Sequence, residues 1–381
     1  MKITGIEVIP VNPPINAPLS ISYTTFRTFN FVVLKAHTDE GYVGLGECPP
    51  LPPLSRESQN TILSVLEAHL APAVIGENPF CTERIWEKMD SAMPGYPLPK
   101  AALDMALYDL MGKKLGVSVY DLLGGLTSRE FPLVGLIGLM PLKETVDSVK
   151  RYLESGYTGL RLKIGRGLRS DEQSLREVRR VAGDDTSIRL DANQAYLPDK
   201  AISVIKALER YDIELVEQPT PWWDYKGLGK VARAVDTPIM PHESLYLLSD
   251  VKTLIEYEAL DVLGLKVYRP GGGLTNAKKL ISMAELMDIP CLVHDDVELG
   301  ISLAAASHLI ASNSRNIRYK CELSGYPEWI ADDIVKQPME FRNGRVKVPE
   351  GPGLGVEIDD DKLKKYSSPD VRYIGQSQAA T

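Results

Sequence analysis

The chain has 381 residues, of which 44% are hydrophobic and 25% charged, with a formal net charge of −8. That length can bury a large core and favours two domains or one barrel with an elaboration, and the composition is ordinary for a soluble globular protein. The acidic balance argues against nucleic acid or an anionic membrane surface as partner, and no uninterrupted apolar run reaches membrane-spanning length.

Met1-Lys2-Ile3-Thr4 enters a strand pattern with no apolar leader. Cys48, Cys81, Cys291 and Cys321 show neither metal-type nor disulfide-framework spacing. A cytoplasmic enzyme is the expected class. Residues 1–125 read as strands followed by helices, an α+β domain. Ile3–Ile9 and Phe31–His37 alternate like half-buried strands, and Asp39-Glu40-Gly41 turns the chain into Tyr42–Glu47. The clearest helix is Lys100–Leu115, with Leu103, Ala106, Leu107 and Leu110 on one stripe and Gly116 at its end. Two loops stand out. Asn16–Thr28 is polar yet carries Tyr23, Phe26 and Arg27, and Cys48–Ser55 holds four prolines and should be stiff. Either they are surface connectors, or this domain caps a site and they close it.

From residue 126 to about 338, strands and amphipathic helices alternate. Eight strand candidates occur: Leu133–Ile137, Gly159–Ile164, Ile188–Asp191, Leu215–Glu217, Pro238–His242, Val262–Val267, Pro290–His294 and Ile317–Glu322. Several end abruptly in polar residues, spaced roughly 24 to 29 residues apart, which suits one strand–helix unit of a (β/α)8 barrel. The expected fold is therefore an α/β (β/α)8-type barrel with an N-terminal α+β capping domain. Residues 339–381 form a C-terminal segment expected to pack back on that domain, with Gln376–Thr381 disordered.

In a parallel barrel the polar strand ends converge on one face. Asp191 and Glu217 lie at adjacent ends, and two carboxylates there repel unless a cation lies between them. Such oxygen ligands suit Mg²⁺. A lone acid at a strand end most often caps the next helix; two in succession favour a metal. Lys163 and Lys266 belong on opposite sides of the mouth, where burial lowers a lysine toward useful base strength. Most lysines snorkel to solvent, but these two are in register with the acids. Arg161 shares the strand face of Lys163 and would lower it further, or hold a substrate carboxylate. His242 and His294 occupy strand ends, whereas His37, His69 and His308 read as structural or surface residues. Asp295-Asp296 and Glu298 mark the seventh strand end and Glu322 the eighth, with Asp295, Glu298 and Glu322 as candidates for substrate contact. Gly271-Gly272-Gly273 is either an anion-binding loop or a plain flexible one.

These phrases together resemble the enolase superfamily, in its muconate-lactonizing-enzyme subgroup (the mandelate racemase/muconate lactonizing enzyme family). The resemblance rests on Tyr42–Glu47, Ala101–Leu110, Arg161-Leu162-Lys163-Ile164-Gly165, Asp191-Ala192-Asn193-Gln194, Val216-Glu217-Gln218-Pro219 and Gly264-Leu265-Lys266. It implies a divalent metal, Mg²⁺ in the family, that holds a substrate carboxylate while a base removes the α-proton. It also implies Lys163 and Lys266 as bases on opposite faces, with Asp191 and Glu217 as ligands and Asn193 beside them. Two positions depart from the pattern. Arg161 stands where the family has a lysine. His242 stands at the third ligand position, within Pro241-His242-Glu243-Ser244, so that a softer ion is favoured or Glu243 reaches in.

The resemblance does not name the reaction. Racemisation or epimerisation of an N-substituted amino acid, dipeptide or cyclic amino acid is the preferred reading. Cycloisomerisation of a muconate-type diacid follows, because Glu322-Leu323-Ser324-Gly325 resembles that group's eighth-strand phrase, and then dehydration of a hydroxy amino acid. A non-catalytic ligand-binding relative is the alternative of a different class. A small carboxylate is the expected partner, and a homo-oligomer the expected assembly.

Overall fold

The structure, a computed structural model, describes residues 1–375, so the stretch expected to be disordered, 376–381, lies outside the described residues. An antiparallel sheet runs in the order Arg372–Gly375, Ile3–Val11, Phe31–Thr38, Val43–Cys48, and its last three strands are buried along most of their length rather than on alternate residues. Helix Pro97–Leu115 begins with proline and stops at Gly116, which takes a left-handed conformation. Its burial extends well beyond one apolar stripe, because one side meets the sheet and the other meets barrel helix Gly273–Leu286. Gly46 permits the first contact: a Cβ there would fall 1.8 Å from the Ala102 carbonyl oxygen.

Barrel strands Gly135–Ile137, Gly159–Lys163, Ser187–Asp191, Ile213–Glu217 and Ile239–Met240 form one parallel sheet in chain order. Leu263–Leu265 pairs with Cys291–Val293. Between these two sheets the Asp261 amide donates to the Ile239 carbonyl at 3.2 Å. The ring closes through the eighth segment, where Ile317 bridges Cys291 and Cys321 bridges Leu133. The fifth strand is shorter than its apolar pattern suggests, since Pro238 and Pro241 flank it and neither can donate to a ladder. Register then places Lys163, Asp191, Glu217 and Met240 side by side.

Three connections tie barrel, cap and C-terminal segment together. Glu47 accepts from the Leu299 and Ser302 amides at the start of helix Gly300–Ala311. Arg345–Lys347 pairs with Glu130–Pro132, just before the first barrel strand, whereas Arg372–Gly375 edges the N-terminal sheet. The tail thus packs on the barrel as well as on the N-terminal sheet. Among the described residues no helix is long and apolar enough to cross a membrane.

Candidate active site

The row Lys163–Asp191–Glu217 sits at the strand ends, and each of these side chains is almost completely buried. Charges so placed persist only if paired. Lys163 Nζ donates to Asp191 Oδ2 at 2.5 Å and to Asn193 Oδ1 at 2.8 Å. Arg161, one strand pleat below, sends its guanidinium fork to Asp191, to Glu217 Oε1 at 2.6 Å and to Glu322 Oε1 at 2.7 Å. It is therefore committed to three carboxylates and does not offer an open fork to substrate. Asp191 Oδ1 accepts the Asn193 amide at 2.8 Å, so both of its oxygens are occupied.

On the far side, Lys266 pairs with Asp296 and donates to the Asp295 carbonyl at 3.0 Å. Asp296 Oδ2 also takes Tyr268 at 3.0 Å and Arg269 at 3.3 Å. Burial lowers Lys266 to about 8 against the opposing pull of Asp296, with Arg269 lowering it further. Burial would raise the Asp296 carboxyl, yet Lys266 and Arg269 hold it well below the usual range. Strands two and six of eight stand across the ring, so the lysines face each other over the mouth.

His242 and His294 lie beside Glu217. His242 Nδ1 is 2.9 Å from Glu217 Oε1 and 3.3 Å from Glu243 Oε2, while its Nε2 meets Arg269. The two rings have centroids 4.9 Å apart. Burial, then the Lys266 charge, keeps both imidazoles far below their ordinary pKa and so neutral. Burial together with neighbouring carboxylates pushes Glu243 up to about 7 and drives Asp295 well above its normal range; burial pushes Glu298 up to about 8. Glu322 is also raised by burial, against the pull of Arg161. Buried acids outnumber the buried cations here, and several buried atoms lack any hydrogen-bond partner: His242 Nδ1, both His294 nitrogens, and one oxygen each of Glu243, Glu298 and Glu322. Donor atoms of Glu217, His242 and His294 lie within 4.8 Å of one another. Unpartnered buried donors of this kind fit a divalent cation.

The loops that hold these groups are strained. Asn193, Gln194, Gln218 and Val297 all take positive φ, which is costly for non-glycine residues and worst for a β-branched one. Gln218 Oε1 accepts the His242 and Ser244 amides at 2.8 and 3.0 Å, locking the fourth and fifth strand-end turns together.

The capping loops divide. Tyr23 lies at the rim, and burial with the charges of Glu243, Asp191 and Asp296 raises its hydroxyl; its neighbour Ser22 donates to the Asn193 carbonyl at 2.6 Å. Phe26 is buried against Phe29 instead. Arg27 lines a separate cavity of about 590 Å³ with Glu144, Asp147 and Arg151. Asp295 is turned toward Ser324, whose hydroxyl donates to it at 2.7 Å. The glycine loop meets the capping domain: Gly273 packs on Asp104, whose carboxylate accepts the Thr275 amide at 3.0 Å. Arg269 and Arg56 escaped the sequence reading, the latter donating to the Glu243 carbonyl at 2.6 Å, and Asp296 was legible as part of a strand end but not as the partner of Lys266. For Arg269 and Asp296 the signal was proximity to the Lys266 and His294 strand ends. Arg56 has only its position after the proline-rich loop.

Comparison with known proteins agrees with this fold. Residues 3–124 match the mandelate racemase/muconate lactonizing enzyme N-terminal domain, and residues 144–362 match the enolase C-terminal domain-like family. The N-succinyl-L-Arg/Lys racemase of Bacillus cereus is 31% identical over 96% of this chain and 98% of its own. Its crystal structure superposes with a TM-score of 0.93 at 30% identity, covering 98% of this chain and all of the other. Chloromuconate cycloisomerase of Delftia acidovorans is 32% identical over 96% of this chain and 99% of its own. A dipeptide epimerase of Cytophaga hutchinsonii, crystallised with Mg and D-Ala-L-Val, gives a TM-score of 0.90 at 28% identity, covering 98% of this chain and 99% of that one. With these two domain matches covering residues 3–124 and 144–362, the chain belongs to the mandelate racemase/muconate lactonizing enzyme family of the enolase superfamily.

Proposed function

We propose that this protein is a racemase or epimerase that moves the proton α to the carboxylate of an amino-acid derivative: an N-substituted amino acid, a dipeptide or a cyclic amino acid. The observation that carries the reading is the pair of buried lysines, Lys163 and Lys266, on opposed barrel strands and each anchored by an acid. A substrate held between them presents one face to each. Lys163 removes the α-proton of one enantiomer and Lys266 returns a proton to the other face; the opposite enantiomer exchanges the roles. Near neutral pH a lysine of pKa about 8 populates both protonation states, as a group acting alternately as base and acid must. Asp296 and Asn193 fix the two ammonium groups in position. Tyr23 covers the mouth from the cap.

A divalent cation at Glu217 and His242, with Asp191 adjacent, would offset the negative charge that develops on the substrate carboxylate. Mg²⁺ is one candidate, supported by the Mg named with the Cytophaga hutchinsonii epimerase. The relatives named as racemases and epimerases support proton transfer at carbon. The cycloisomerase relatives favour a second reading, lactone formation from a muconate-type diacid. Incubating the protein in D2O with N-acyl amino acids and dipeptides separates the two. Deuterium at the α-carbon with inversion, read by NMR and chiral chromatography, is the expected result. A lactone from a muconate without α-exchange would replace the reading with cycloisomerisation, and binding without either product would make the protein a non-catalytic relative.

A further inference from the structure

Asp191 and Glu217 would be the natural oxygen ligands for Mg²⁺, but their surroundings differ. Asp191 has both oxygens taken, by Lys163 and Arg161 on one side and the Asn193 amide on the other. Glu217 shares Arg161 yet also faces an imidazole. The atoms left without partners in this region include nitrogens: His242 Nδ1 and both ring nitrogens of His294, in residues 2% exposed. Burying imidazole nitrogens without a hydrogen bond is costly; His294 has a partner at neither nitrogen, and His242 Nδ1 lies beside the carboxylates of Glu217 and Glu243 at 2.9 and 3.3 Å without making a hydrogen bond to them. Gly264 leaves room for the His294 ring, since a Cβ there would stand 3.0 Å from its Nε2.

We infer that Glu217, His242 and His294 form a nitrogen-rich centre for a transition-metal dication such as Mn²⁺, Fe²⁺, Co²⁺ or Zn²⁺, in place of a Mg²⁺ site built on Asp191. The inference rests on the proposed function only in taking the metal to serve that site. Two imidazoles and one carboxylate, with positions left open, suit such ions, whereas Mg²⁺ demands oxygen in near-octahedral array. One rearrangement is required. Arg269 now donates toward His242 Nε2, so binding through Nδ1, which leaves Nε2 protonated, must open that contact. Arg269 keeps the His242 carbonyl at 3.2 Å and Asp296 at 3.3 Å as acceptors. Asp191 stays with Arg161 and Lys163 as a positioning residue.

The test uses the full-length chain, stripped of metal and titrated separately with Mg²⁺, Mn²⁺, Co²⁺ and Zn²⁺. Co²⁺ and Zn²⁺ should bind at least about 100-fold more tightly than Mg²⁺. His294→Asn should weaken Co²⁺ at least about tenfold, the lower end of what losing even an outer-shell partner costs a metal, while its thermal melt confirms folding. Pulsed EPR of the Mn²⁺-loaded wild type, which needs no variant, should count two bound imidazole nitrogens. Fewer than two nitrogens, equal affinity for Mg²⁺, or Co²⁺ binding indifferent to His294→Asn in a folded protein would overturn the inference. Deuterium exchange at substrate carbon reports separately. An oxygen-only site with α-exchange removes the nitrogen centre and keeps the function; two nitrogens without α-exchange do the reverse.

Discussion

The two sides of the barrel mouth hold a lysine each, but they hold it differently. Lys163 lies within a dense lattice in which Asp191, Asn193, Arg161, Glu217 and Glu322 interlock. Lys266 has one acid partner, Asp296, which it shares with Arg269 and Tyr268. The first side distributes charge over several carboxylates; the second concentrates it on a single pair, and there burial and Arg269 lower the lysine to about 8. Strand register gives Lys163 both its place and its neighbours Asp191 and Glu217. Lys266, one residue past its strand, takes its acid partner from a loop that register does not constrain.

The sharpest way to break this comparison is to remove each lysine. Lys163→Ala and Lys266→Ala should each abolish inversion, a loss of about 10²–10⁴-fold if each lysine supplies ordinary general acid–base catalysis. Each variant should still exchange the α-proton of one enantiomer in D2O, and the two should prefer opposite enantiomers. Full racemase turnover by Lys266→Ala would eliminate the two-base scheme.

That much was legible in the sequence because strand periodicity and polar strand ends are local signals. Asp191, Glu217, Lys163 and Lys266 each terminate an apolar run, and a parallel barrel carries such ends to one face. The fifth strand end was harder, since Pro238 and Pro241 shorten its ladder and leave His242 in a turn. Arg161 was legible as a cation but not as one engaged by three carboxylates, because Glu322 lies 161 residues away. Pairings across the mouth depend on which rotamers the loops impose, and no spacing rule encodes that. Gly273 was ambiguous for the same reason: its close neighbour Asp104 comes from the capping domain.

The lattice on the Lys163 side should be the more costly to disturb. Arg161→Met leaves three buried carboxylates facing one another, with an expected loss of about 3–5 kcal/mol in urea unfolding. Saturating divalent cation should restore part of it, because a ligand that binds only the folded state stabilises it. Arg269→Met should cost less, since Asp296 retains Lys266 and Tyr268. Equal losses for the two arginines would mean that the sides are not electrostatically distinct.

A pH profile sharpens the difference further. With Lys266 lowered to about 8, the direction that uses it as base needs its neutral form, and should lose rate as pH falls through that value. The opposite direction needs the ammonium and should lose rate as pH rises through it. Asp296→Asn removes the anion that favours the ammonium, so burial and Arg269 act unopposed and the base-side limb must move to lower pH. If that limb stays in place or moves upward in Asp296→Asn, it belongs to another group.

The smallest effects belong to the cap, and they test which of its side chains meets substrate. Tyr23 stands at the rim facing the Glu243 and Asp296 charges, whereas Arg27 lines a neighbouring cavity with Glu144 and Asp147. Tyr23→Phe deletes one hydroxyl, worth about 1 kcal/mol for a typical hydrogen bond, and should change kcat/KM less than about tenfold with bound metal unchanged. Arg27→Ala should leave kcat for a substrate with a neutral side chain intact while altering the ranking of substrates with charged side chains, because it removes a cation from a cavity that also holds Glu144 and Asp147. Phe26→Ala is no test of recognition: the ring is buried against Phe29, so its loss destabilises the cap. Metal content and substrate ranking, measured on the same Tyr23 and Arg27 preparations, decide the matter. Loss of metal with unchanged ranking would assign the cap to the metal centre and leave substrate choice to the barrel loops.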